Sequence, residues 1–248
     1  MLPPETPIPD LAAAATPIPL RAADGCSLTS GDSFGLVGAD GVYKNNRVTD
    51  MNADFRLSVL GYAPSDAPPV LVGYNGETDP GAPKFSALFS PARAPVVVRA
   101  YQRFDWLWNE EAPAPHGARG GANAEWPATV IDIATTPGEG VHVPQRAAQI
   151  GGGFNAMVLF ASDDELTLAF HRQDGVEDGY VAHFLGLCVD PNLVALYRAQ
   201  LNGGRRATHS LPAVRSGQRI GIAAGASLTI AMRDRGVFMD PRSSKDWW

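Results

Sequence analysis

Short apolar stretches separated by turn residues run the length of this chain, and that punctuation constrains the fold more than any other feature. With 26 Gly and 21 Pro in 248 residues, long uninterrupted helices are disfavoured, because proline removes an internal donor and glycine gives up the most backbone entropy on ordering. In the first half the β-like stretches are 34–37, 55–62, 70–74, 85–89 and 96–108; later ones are 130–134, 141–143, 156–161, 166–170, 219–223 and 227–233. Runs of this length between turn signals predict an all-β, mainly antiparallel fold. Within 55–62, Leu57 and Val59 share a face, which predicts a half-buried strand. In 96–108, alternation places Val96, Val98, Ala100, Phe104, Trp106 and Trp108 on a core-like face, and Val97, Arg99, Tyr101 and Arg103 on the other. One helix is expected, over about 191–201. Asp190 suits its N-cap, Pro191 its first turn and Asn202-Gly203-Gly204 its stop, while Leu193, Leu196, Tyr197 and Leu201 recur at helical spacing.

The punctuation also suggests a division of the chain. Residues 1–20 alternate proline with apolar residues and are expected to form an extended arm. A smaller β-sandwich-like domain is read over 21–108, a Gly/Ala/Pro-rich linker loop over 109–125 and a second β domain over 126–248. A net charge of −6 and a pI near 5.3 argue against nucleic acid as a partner. No apolar run reaches the length of a membrane span, and the N-terminus shows neither the basic region nor the unbroken apolar core of a secretory signal. Cys26 and Cys188 are either paired or free; their spacing leaves both open.

Three stretches in order carry a family resemblance: TVIDIATTPGEGVHVPQRAAQIGGGFNAMVLF, then Thr167-Leu168-Ala169-Phe170-His171, then VRSGQRIGIAAGASLTIAMRDRGVFMDP. Together they resemble the landmarks of lysostaphin-type (LytM-like) zinc metallopeptidases. The resemblance covers about 126–248 and implies a β-sheet or β-barrel domain, with 172–212, including the helix, as an insertion. It implies a zinc site at which Asp132 matches the ligand aspartate and His171 an assisting histidine. The other implied positions fall on Ala128, Ser227 and Thr229, which cannot replace imidazole nitrogens. Asp132 and His171 are therefore read as vestigial, no cofactor is expected, and His116, His142, His183 and His209 show no paired spacing that would rebuild a metal site.

The resulting expectation is a pseudoenzyme, a structural or binding component of a larger assembly. An extracellular or envelope-associated location is what the resemblance implies. The alternatives are a peptidoglycan- or polysaccharide-binding module, with Tyr101, Trp106, Trp108 and Trp126 as stacking candidates, and a divergent zinc-dependent peptidoglycan hydrolase. The terminal Trp247 and Trp248 are expected at an interface, so that arm and tail together suggest a protein partner or a homo-oligomer.

Overall fold

The computed structural model describes residues 26, 28, 30–41 and 46–248, so the arm read over 1–20 lies outside the described residues. In chain order, β1 (Gly35–Gly38), α1 (Leu57–Leu60), β2 (Tyr62–Pro64), β3 (Val97–Trp108) and β4 (Gly117–Ala122) come first. They are followed by β5 (Val130–Ala134), β6 (Gly140–His142), β7 (Ala156–Ala161), β8 (Glu165–Ala169), β9 (Tyr180–Leu185) and β10 (Leu187–Val189). Next come α2 (Pro191–Arg198), a ribbon of β11 (Leu201–Asn202) and β12 (Arg205–Arg206), and β13 (Ser210–Val214). The chain closes with β14 (Arg219–Ala223), β15 (Ser227–Asp234), β16 (Val237–Met239) and α3 (Ser244–Trp247).

The fold is all-β and antiparallel at every pairing between these strands. One large sheet runs β1-β13-β7-β8-β9-β15-β5-β3-β2, with β16 on β15 and β4 on β3; a small sheet runs β10-β14-β6. Val141, Leu187, Val189 and Ile220 of the small sheet belong to one apolar cluster with Val158, Phe160, Leu168 and Ile230 of the large one. The two sheets thus cover each other's apolar faces, the usual way a sheet hides such a face.

The expected helix forms, with Asp190 Oδ1 accepting the Asn192 N–H at 2.9 Å, a cap contributing about 1 kcal/mol. It buries Leu193, Val194 and Tyr197. It stops at Arg198, short of 201, because Leu201–Asn202 turns into the β11–β12 ribbon across Gly203 and Gly204, both at positive φ.

Several local expectations are corrected. Residues 57–60 form α1 rather than a strand: Leu57 and Leu60 are the buried pair, three apart, which is helical spacing. Residues 85–88 form a 3₁₀ turn, and 70–74 contributes only an isolated bridge at Val72. On β3 the register shifts between Val97 and Arg99, so that Val97 is buried on the main core and Tyr101 on the opposite face of the sheet, while Val96 and Val98 are more than half exposed.

The larger divisions look different in space. β1 pairs with β13 and β3 with β5, so a boundary at 109–125 falls between hydrogen-bonded neighbours of one sheet; that segment also holds β4. Residues 172–212, read as an insertion, supply β9 between β8 and β15 as well as β13 beside β7.

Cys26 and Cys188 are joined in a disulfide, Cα to Cα 5.4 Å. The aromatic tail docks on its own chain. Trp247 is buried against Phe85 and Tyr180, with its Nε1–H donated to the Asp240 carbonyl at 2.9 Å, and Trp248 donates to the Pro241 carbonyl at 2.9 Å. Trp247, expected at an interface with a partner, is thereby taken up within the chain.

Candidate functional site

Opposed residues of antiparallel strands share a face, and the face of the large sheet turned away from the main core carries two rows. One row is Arg99, Asp132, Thr229, Leu185 and Glu165; the next is Tyr101, Val130, Ala231, His183 and Thr167. The five polar or charged side chains on β5, β15, β9 and β8, namely Asp132, Thr229, His183, Glu165 and Thr167, are unusual, because each needs a partner once water is gone.

At the Asp132 end the partners are hydroxyls. Thr229 Oγ1 donates to Asp132 Oδ1 and the Tyr101 hydroxyl to Oδ2, both at 2.6 Å. Tyr62 packs edge-on to Tyr101 with centroids 4.9 Å apart. Burial, then the negative Asp132, pushes the Tyr62 hydroxyl above its ordinary range. Burial and its bond to Asp132 do the same to Tyr101. Both phenols therefore stay protonated as donors.

At the Glu165 end the partners come from the chain around α1. Glu165 is buried and accepts from Arg56 Nε at 2.8 Å, from the Ser58 N–H at 3.0 Å and from Ser58 Oγ at 2.6 Å. Thr167 Oγ1 donates to the Phe55 carbonyl at 2.6 Å and lies 3.0 Å from His183 Nδ1. Since the threonine has one proton and Phe55 receives it, the network assigns the imidazole proton to Nδ1. That leaves Nε2, buried, with no hydrogen-bond partner. The ring stacks on Phe238 at 5.9 Å, and Arg233 lies over that same phenyl ring at 4.1 Å while reaching Asp54 at 3.3 Å. Burial, with Arg233 adding repulsion, holds His183 well below the usual histidine range. Residues 52–62 thus lie over this half of the face, Ala53, Leu57 and Leu60 packing on Tyr101, Val130, Leu185, Ala231 and Phe238 as a small apolar cluster of their own.

The structure brings some of the sequence-derived positions together and separates others. Asp132 and Thr229 are directly opposed across β5 and β15, and Ser227 is opposed to Ala134. Ala128, fully buried, precedes β5. His171 lies beyond the end of β8, its Nδ1 accepting the Gln173 N–H at 3.2 Å, and burial lowers its pKa. Three strand spacings separate the Asp132 position from β8, and His171 is six residues further along from Glu165; with ~4.8 Å between strands and ~3.3 Å per residue the two are roughly 20 Å or more apart. They cannot act on one atom.

The residues also do not fit the zinc that the resemblance implies. A catalytic zinc needs about three nitrogen, oxygen or sulfur ligands. Here Ala128 offers a methyl, Thr229 a hydroxyl whose proton points at Asp132, and each Asp132 oxygen already accepts a short bond. Among the described residues no group of three or more His, Cys, Asp and Glu side chains is placed to hold a metal. Nor do Asp132 and Glu165 make a hydrolytic carboxylate pair, since three strand spacings, ~14 Å, exceed the ~9.5 Å limit for such pairs.

The four aromatic candidates do not form one platform. Tyr101 is buried on Asp132, Trp106 meets Trp108 edge-on at 6.0 Å, and Arg47 covers Trp108 at 4.0 Å. Trp126 instead meets Tyr74 edge-on at 5.8 Å, and both line a cleft of about 190 Å³ with Asn75, Asp240, Lys245 and Trp247. No protein-family model matches the chain, and no curated protein does.

Glu165, His183 and the covering segment are what sequence reasoning missed. A signal was present in Glu-Leu-Thr-Leu-Ala at 165–169, where polar residues alternate with core leucines.

Proposed function

We propose that this chain is a non-catalytic relative of the LytM-like peptidases, serving as a structural or binding component of a larger extracellular or envelope-associated assembly. The observation that carries the proposal is the state of Asp132: the one ligand-type side chain matching the family's metal set has both oxygens engaged by the hydroxyls of Thr229 and Tyr101. A side chain so occupied is a structural tie between β5, β15 and β3. The disulfide supports a location outside the reducing cytosol, since such bonds persist mainly in oxidising compartments.

The test has two arms. Purified protein supplied with zinc is expected to release no product from peptidoglycan or glycyl peptides, and turnover that disappears in Asp132→Asn refutes the non-catalytic reading. Light scattering that finds only a monomer, combined with no retention on cell-wall material, counts against the assembly reading.

A second reading is favoured by one feature, the cleft between Tyr74, Trp126 and Trp247. Aromatic walls with polar edges suit a sugar ring, which makes this cleft the place for peptidoglycan or polysaccharide binding. Sedimentation with insoluble glycans separates the two readings: retention lost in Trp126→Ala supports the glycan module, whereas no retention leaves the structural role.

A further inference from the structure

The polar face under residues 52–62 is occupied by the chain itself, and three of the ties that hold the cover are grouped around His183, while Arg119 of β4 and the Phe104 N–H of β3 hold the Ser58, Val59 and Gly61 carbonyls from the other side. Thr167, which receives the His183 Nδ1–H, donates to the Phe55 carbonyl; Arg233, on the opposing strand, holds Asp54; Glu165, two residues from Thr167, holds Arg56 and Ser58. The apolar contacts of Ala53, Leu57 and Leu60 belong to the small cluster, and Phe55 is the buried residue of the cover that reaches the main core. Gly61, at φ +77°, ends the cover where it joins β2.

We propose that residues 52–62 are an intramolecular cover released when His183 takes up a proton, exposing a polar site lined by Glu165, Thr167 and His183. The imidazolium would carry a second N–H, at Nε2, into a place with no acceptor. The charges facing this region are Arg233 from β15, Glu165 from β8, Asp54 and Arg56 from the cover, Arg47, which reaches Asp54 at 4.0 Å, Glu177, whose charge acts on Arg233, and Arg103 of β3, whose guanidinium lies over the Phe238 ring at 5.0 Å. The Glu165 and Asp54 carboxylates are already committed, Glu165 to Arg56 and Ser58, and Asp54 to Arg233 and Arg47. The charge acting most strongly on the ring is the Arg233 cation. A protonated ring gains nothing while the cover is closed and recovers hydration once it lifts.

The opened form has an ordinary histidine, near pKa 6.5, so the opening equilibrium should rise tenfold per pH unit below that value, up to roughly 30-fold at pH 5. Amide hydrogen exchange on the full chain at pH 7.5 and 5.0, corrected for intrinsic rates, reads this directly. Ser58, Leu60 and Gly61 N–H groups should lose protection by that factor at pH 5 and should remain less protected than the β7 amides at both pH values. The dependence should vanish in His183→Gln. Should that variant fail to fold, the imidazole carbon signals of the native protein, followed by NMR, provide the second readout: their titration must coincide with cover exchange. Equal cover protection at both pH values, cover amides as strongly protected as those of β7, or a pH response that survives in His183→Gln each overturns the proposal.

Discussion

Replacing Glu165 by alanine should remove about 3–5 kcal/mol of folding stability, the range for breaking a buried ion pair by deleting one partner. The figure follows from what is left behind. The carboxylate is 1% exposed and accepts three bonds, from Arg56 Nε, the Ser58 backbone N–H and Ser58 Oγ. Deletion strands a backbone donor and a largely buried guanidinium, and an unsatisfied buried donor costs about 1–3 kcal/mol, more when charged. Glu165→Gln keeps the shape and one acceptor, so it should cost less, about 1.5–3 kcal/mol. Arg56→Ala leaves the carboxylate with both Ser58 donors and should fall between the two. A double-mutant cycle across Arg56 and Glu165 isolates their coupling, which should exceed the ~0–1 kcal/mol of a surface pair because one partner is buried. Urea denaturation followed by circular dichroism and tryptophan fluorescence supplies the values. A loss under 1 kcal/mol for Glu165→Ala, with unchanged denaturant dependence, would show that α1 does not hold the face as described.

Other consequences are open to measurement. Replacing Cys26 and Cys188 by serine opens a crosslink spanning 162 residues, for which chain entropy predicts a loss of about 5 kcal/mol in guanidinium titrations; a loss below 1 kcal/mol refutes it. Because residues 35–38 remain paired with β13 and Gln218 holds the Ser33 carbonyl, the native fold itself should survive that change. Trp247→Ala should cost about 3–5 kcal/mol in thermal or chemical denaturation, as for a buried core aromatic, and should leave the oligomeric state unchanged. His183 has its pKa lowered by burial, so the folded chain refuses a proton that the unfolded chain accepts below pH 6.5. The sign is therefore a stability constant above pH 6.5 that falls by about 1.4 kcal/mol per pH unit below it, until the folded-state pKa is reached; urea midpoints at pH 7.5, 6.5 and 5.5 that do not change would refute this.

Legibility in the sequence followed the range of the interactions involved. Strands bounded by turns on both sides, such as β5, β7, β14 and β15, were readable because alternation and punctuation are local. So was α2, whose cap and stop lie in adjacent residues. Residues 57–60 misled because a stretch this short does not separate a period of two from one of three or four. The site is harder for a different reason. Matching motif strings selected His171, which has the right neighbours in sequence and lies three strands from Asp132 in space. The physical signal was polar residues alternating with core residues, at Glu165 and Thr167 on β8 and at His183 on β9. Such residues announce that another part of the chain must supply partners, because a charged or polar group on an inner strand is not otherwise tolerated. They do not announce which part: Arg56 and Ser58 lie 109 and 107 residues away from Glu165, and nothing local to either end specifies the meeting. Only the strand order, which sets β8 and β9 beside β15 and brings α1 over them, determines that this polar face is filled from within.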